Sequence, residues 1–149
     1  MATMRDDEPA TELVNPLDGL LGYQLRRASA AMLSDLMRVL ADLDLRVTEA
    51  SVILLIDSNP DITQSEIGRT LGIQRANMAP LVAGLDNRAI IDRARADGRS
   101  QALRLSGHGS ALARVIRARI ADHEARFLVD LSTRDRSRLI RMLRRIWTE

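Results

Sequence analysis

The 149-residue chain has no cysteine and no lysine. Without cysteine there can be no disulfide, no thiolate zinc site and no thiol redox sensor. Without lysine, all 22 basic residues are arginines, whose planar forks of donors suit phosphates and base edges. The lysine gap by itself is what a codon-biased genome produces; the placement of charge carries more information. Aromatic residues are also scarce, with one Trp, one Tyr and one Phe. The longest unbroken aliphatic run, Val52 to Ile56, is far too short to span a bilayer. The acidic start "MATMRDDEPATELV" lacks an apolar signal core, so a cytoplasmic protein with a loose leader at 1–14 is expected, away from membranes. The two histidines, His108 and His123, have no ligand partner at helical spacing, so no metal site is expected. Nucleophile, base and orienting acid do not occur together, and no glycine-rich phosphate loop is present. Neither enzyme activity nor a cofactor is expected.

What is present is charge asymmetry. Residues 1–62 carry 5 arginines against 11 acids, residues 63–106 carry 7 against 4, and residues 107–149 carry 10 against 5. The chain is therefore acidic first and basic afterwards, the pattern of a protein with an anionic partner.

Helical periodicity dominates. Asn15-Pro16 reads as an N-cap with proline in the first helical position. Apolar residues from Leu17 to Leu43 then recur at helical spacing, predicting a helix over 16–43 about 42 Å long. So long a stripe needs partners along its length. Thr48 is the expected cap of a second helix, ended by "SNPD" at 58–61. "TQSE" at 63–66 is a capping box, with Thr63 and Glu66 satisfying each other's backbone donors. The short helix it opens ends at Gly72, a good left-handed terminator. A third short helix spans about Arg75 to Arg88 and contains Pro80, which costs about 3 kcal/mol in an ordinary helix interior. Pro80 is expected to act as a geometric device, tilting the turn from Arg75 to Ala79.

The period then changes. "IIDRAR" at 90–95 and "QALRL" at 101–105 are extended stretches around Asp97-Gly98, a hairpin signal. Beyond them, Ser106 caps a long helix to about Leu131, and Thr133 caps the last one. That last helix carries Arg134, Arg136, Arg138, Arg141, Arg144 and Arg145 beside an apolar stripe.

The order helix, glycine turn, helix, arginine-bearing hairpin is that of a winged helix-turn-helix. The expected fold is mainly α with a small β wing. Residues 47–106 form the DNA-binding domain; 15–46 and 107–149 form a helical dimerisation body. Gln74, Arg75, Asn77 and Met78 on the second helix of the motif are the candidate contacts to bases and phosphates. Arg99 at the wing tip, with Arg95 beside it, is placed to reach phosphates or a narrow minor groove. Arg93, Arg95 and Arg104 either touch the DNA backbone or solvate the wing. Asp97 and Gly98 shape the wing.

Residues 63–106 resemble the MarR family of bacterial transcription regulators. Asp97, Arg99 and Leu105-Ser106 match its D-x-R-x5-L-[TS] wing signature, and the flanking helices match its dimerisation body. Two departures stand out: Ala89 replaces a usual glycine, and Pro80 replaces a polar or basic contact residue. The resemblance implies a homodimer on a pseudo-palindromic duplex operator, as a repressor released by a small aromatic or phenolic acid. That effector would enter a cleft for which Tyr23, Arg27 and Ser51 are the candidate lining, the arginine suiting a carboxylate. It also implies that the arginine-rich last helix lies in the dimer body, where it could pair with the acidic segment holding Asp6, Asp7, Glu8 and Glu12. A ligand-independent DNA binder and a winged-helix dimerisation or protein-interaction module remain open as alternatives.

Overall fold

The computed structural model describes residues 13–95 and 101–147, with the side chains of 94, 95 and 101 outside that description. Helix α1 (Leu21–Leu40) runs into a 3-10 turn at Ala41–Leu43. Then come α2 (Val47–Ser58), β1 (Ile62–Thr63), α3 (Gln64–Leu71), α4 (Arg75–Asn87), β2 (Ile91–Arg95) and β3 (Gln101–Leu105). Two further helices follow, α5 (Gly107–Phe127) and α6 (Thr133–Trp147). The sheet is antiparallel in the order β1-β3-β2, with Ile62 opposite Leu103 and Ile91 opposite Leu105. The third strand, β1, was not expected; at two residues it is too short to show an alternating pattern. It ties the start of α3 to the wing.

One core joins these elements. Ile53 and Ile56 of α2, Ile67 of α3, Met78, Val82 and Leu85 of α4, Leu103 of β3 and Ile116 of α5 are all fully buried in it. The α3–α4 crossing is close because Gly68 has no side chain. A β-carbon there would stand 3.1 Å from the carbonyl oxygen of Ile73 and 3.2 Å from Cγ of Met78.

Three expected caps are displaced. Asn15 does not cap a helix at 16. Its Oδ1 accepts from the N–H of Leu17 at 3.1 Å and its carbonyl from Asp18 at 3.2 Å, closing a local turn. The α-helix starts only at Leu21. Arg46, not Thr48, is the N-cap of α2, because the Glu49 carboxylate accepts from the Arg46 N–H at 2.8 Å. Ser132, not Thr133, caps α6, its Oγ accepting from the N–H of Asp135 at 3.2 Å. The Thr63–Glu66 capping box, the left-handed Gly72 (φ 65°) and the Ser106 cap stand where the sequence places them.

α1 and α5 pack antiparallel. Asp35 meets His123 at 2.8 Å, and Arg119 holds Asp42 at 2.6 Å and the carbonyl of Val39 at 3.0 Å. From Asp35 back to Leu21 is about 21 Å of helix, whereas α5 runs only about 6 Å past His123. The first turns of α1 therefore overhang the end of α5. There and on α6 the apolar side chains are exposed, reaching 60% for Ile146 and 70% for Trp147. No described residue of α6 is buried. Arg136 ties it back by donating to the carbonyls of Leu128 (2.7 Å) and Leu131 (3.0 Å), just past the end of α5.

The wing is joined to α5 through Ser106, beside the shared core and the pairing of Arg117 with Asp57 of α2. The Ser106 N–H donates to the carbonyl of Ile90 at 3.1 Å, and its Oγ donates to the carbonyl of Ala89 at 2.7 Å. Gly109, one turn into α5, lies so near that a β-carbon would be 2.0 Å from the Ile90 oxygen.

Candidate nucleic-acid interface

The motif is assembled by α3, its glycine turn and α4. The Thr63–Glu66 box starts α3, with the Glu66 carboxylate accepting from both the N–H and the hydroxyl of Thr63. These bonds hold the Glu66 carboxyl below its usual range, the backbone bond contributing most. The left-handed Gly72 stops α3, and the N–H of Ile73 returns to the Gly68 carbonyl at 2.8 Å. That turn delivers Gln74 as the N-cap of α4.

Of the four contacts expected on this helix, Gln74, Arg75 and Asn77 are exposed. Gln74 makes no side-chain cap bond, which leaves its amide available. Among the described residues no acid pairs with Arg75. Met78 is a correction: it is 1% exposed, packed over Gly68 and beside Val82 and Leu85 on the inner stripe of α4. Its apolar spacing with those two residues marks it as core.

A cavity of about 630 Å³ lies between Gln64, Ser65 and Arg69 of α3 and Gln74 and Arg75 of α4, with Met78 and Leu103 at its base. A second, of about 690 Å³, lies between Arg46 and Thr48 of α2 and Asn77, Pro80 and Gly84 of α4. α4 continues through Pro80 without a break. Pro80 and Ala76 are both exposed, so the Ala76 carbonyl deprived of its helical donor belongs to a residue open to water.

The wing arginines divide. Arg104 donates from Nε and Nη2 to the two carboxylate oxygens of Asp61, each at 2.5 Å, and Arg93 donates to Asp86 at 2.7 Å. The Arg104 bonds hold the Asp61 carboxyl low and raise the guanidinium. Arg93 thus ties the wing to α4, and Arg104 ties it to the turn between α2 and β1. The Arg95 side chain, Asp97, Gly98 and Arg99 lie outside the described residues.

In the body, Tyr23 and Arg27 do come together. The Tyr23 hydroxyl accepts from Arg27 at 3.1 Å and from Asn15 at 3.3 Å, and the Arg26 guanidinium lies 5.2 Å from the ring centre. The bonds from Asn15 and then Arg27 lower the Tyr23 phenol from its ordinary value. Ser51 does not join them; its hydroxyl donates to the Val47 carbonyl one turn back at 2.9 Å. The sequence reading missed the role of His123, 2% exposed and paired with Asp35. Its place on the same stripe as Ile116, Ile120 and Phe127 was the available signal. Arg38 and then His123 hold the Asp35 carboxyl below its usual range. No cluster among the described residues could hold a metal ion, and no described helix is long and apolar enough to cross a membrane.

Known proteins share this architecture. A MarR-family model matches residues 43–100. The transcriptional repressor CouR, solved bound to a 23-mer DNA duplex, is 36% identical, with a TM-score of 0.84 over 91% of this chain and 99% of that one. CouR bound to p-coumaroyl-CoA aligns at 33% identity and a TM-score of 0.80, over 93% and 99% of the two chains. The MarR-family protein Rv2887 of Mycobacterium tuberculosis, in complex with salicylic acid, aligns at 25% identity and a TM-score of 0.68, over 87% and 97%. Motif, wing and flanking helices agree across nearly the full length, and the chain belongs to the MarR family of winged helix-turn-helix transcription regulators.

Proposed function

We propose that this protein is a cytoplasmic, non-enzymatic transcriptional repressor that binds a pseudo-palindromic duplex operator as a homodimer and leaves it when an aromatic acid, free or as a coenzyme A thioester, binds. The observation that carries this reading is the first turn of α4. Gln74, Arg75 and Asn77 stand exposed on a helix whose frame resembles a repressor solved on DNA. A helix of this kind lays its N-terminal residues on base edges in the major groove.

The division of labour is as follows. Residues 47–106 bind DNA, and 15–46 with 107–149 make the dimer body. The overhanging start of α1 and the apolar side of α6 supply the surface that a second copy covers, because exposed apolar area of this extent marks an interface. The dimer sets the spacing of two α4 helices at about 34–36 Å, one turn of duplex. The effector class rests on the relatives solved with p-coumaroyl-CoA and salicylic acid. Tyr23 and Arg27 sit on the overhang of α1, so an effector they hold would lie against the partner chain and bias that spacing.

Electrophoretic shift on the DNA upstream of the protein's own gene tests the reading. Arg75→Ala and Asn77→Ala should each weaken binding by roughly 5- to 150-fold per half-site, the worth of a good base contact. Melting temperatures should be unchanged. Wild-type binding no tighter than to scrambled duplex would overturn the proposal.

A further inference from the structure

α4 buries Met78, Val82 and Leu85 on its inner side. The opposite side carries Ala76, Pro80 and Ala83 at helical spacing, flanked by Ala79 and Gly84. Ala76, Ala79 and Pro80 are exposed, and Ala83 and Gly84 half-buried. Between Arg75 and Asp86 there is no charged residue, and Asp86 is engaged by Arg93. Its hydrogen-bonding side chains lie at the two ends, Gln74, Arg75 and Asn77 at the start and Asp86 and Asn87 in the last turn. Between those ends, from Met78 to Leu85, the side of α4 turned away from the core offers only methyl, methylene and backbone surface.

Short apolar side chains would be unremarkable on most helices. On a recognition helix they restrict what can be read. In the major groove the one apolar group on a base edge is the C5-methyl of thymine. A G·C pair placed there offers two acceptors on guanine and a donor on cytosine, and an apolar face would strip their water and return no bond. From this juxtaposition we infer that Ala76, Ala79 and Pro80 are specificity-determining residues that read thymine methyl groups. The operator half-site therefore places thymines under the middle of α4, while Gln74, Arg75 and Asn77 make the directional contacts at its start. The inference rests on the proposed DNA-binding function and adds the base class that this helix selects.

The test uses the full-length protein. Operators are selected from a pool of random-sequence duplexes, and each thymine of the winner is replaced by deoxyuracil, which removes the methyl group and keeps the hydrogen-bonding edge. Burying one methyl-sized group is worth about fourfold in affinity. Substitution at the symmetric position of both half-sites should therefore cost about 15-fold, confined to one or two positions per half-site. Ala79→Gly should bring the thymine-to-uracil affinity ratio at one of these positions close to one. That ratio is measured within one protein preparation, so a general loss of stability leaves it unchanged. If a consensus is selected but every thymine-to-uracil ratio stays within about twofold, the inference fails and the DNA-binding function stands. If no consensus emerges, the function itself fails.

Discussion

Replacing Ala89 with glycine should stabilise the protein, although it removes a methyl group and loosens the unfolded chain. α4 ends at Asn87, and two backbone bonds close behind it: Ala89 N–H to the Asp86 carbonyl at 2.8 Å, and Ile90 N–H to the Leu85 carbonyl at 3.0 Å. This is the paired-bond helix terminator that needs a left-handed residue at its corner. Ala89 occupies the corner with φ 52°. A non-glycine residue there costs about 1–2 kcal/mol. The Ala89 methyl is exposed, so its loss gives up little burial. Glycine costs about 0.4–1 kcal/mol through unfolded-state entropy. The difference favours Ala89→Gly by about 0.5–1 kcal/mol, a rise of roughly 1–4 °C in melting temperature for a chain of this size. The assay is thermal unfolding at matched protein concentration, because dimer stability depends on concentration. Ala89→Val is the control and should melt below wild type, since a β-branched side chain fits a left-handed corner worse. An Ala89→Gly protein melting at or below the wild-type temperature would refute the reasoning.

Other substitutions probe other links. Gly109→Ala should destabilise by about 3 kcal/mol or more, read as a lowered urea midpoint, because its β-carbon would overlap an Ile90 carbonyl 2.0 Å away. Pro80→Ala should leave the melting temperature unchanged or raise it, by restoring a helical donor, while altering operator selectivity in competition binding. Asp42, Asp61 and Glu66 titrate below their ordinary values in the folded protein, through bonds from Arg119, Arg104 and Thr63. Carboxyls lowered in this way stabilise the fold fully above their unfolded pKa values, and that stability is lost as pH falls through the folded ones. Melting temperature should thus be flat above about pH 5 and fall below about pH 4, with a shallower fall for Asp42→Asn. Arg99→Ala should lower the salt slope of operator binding by about one unit per protomer, about two for the dimer, if Arg99 neutralises a phosphate.

The elements that the sequence revealed are those whose signals are local. The capping box at Thr63, the glycine stop at Gly72 and the Ser106 cap depend on residues within a few positions of one another, and each stands as read. Asn15, Thr48 and Thr133 were displaced because competing local bonds were available nearby: a turn closed on Asn15 itself, Glu49 reaching Arg46, and Ser132 next to Thr133. On α4 the exposure of Gln74, Arg75 and Asn77 agrees with their motif position. The burial of Met78 does not, because its place in the motif pointed outward while its spacing with Val82 and Leu85 pointed to the core, and packing over Gly68 decided it. The pairings of Arg104 with Asp61 and of His123 with Asp35 join residues far apart in the chain. No local pattern encodes them; they appear only once β1 meets β3 and α1 meets α5.

Equilibrium binding of a fluorescent duplex from the upstream DNA, titrated with salicylate and then with p-coumaroyl-CoA, tests the central claim most directly. A sequence-specific repressor of this fold should bind with a dissociation constant of about 10⁻⁸ M or tighter at physiological salt, at least ~10³-fold below that for scrambled duplex. One of the two effectors should lower that affinity by tenfold or more while leaving scrambled-duplex binding unchanged. Equal affinity for both duplexes, or specific binding that neither compound weakens, would contradict an effector-released repressor.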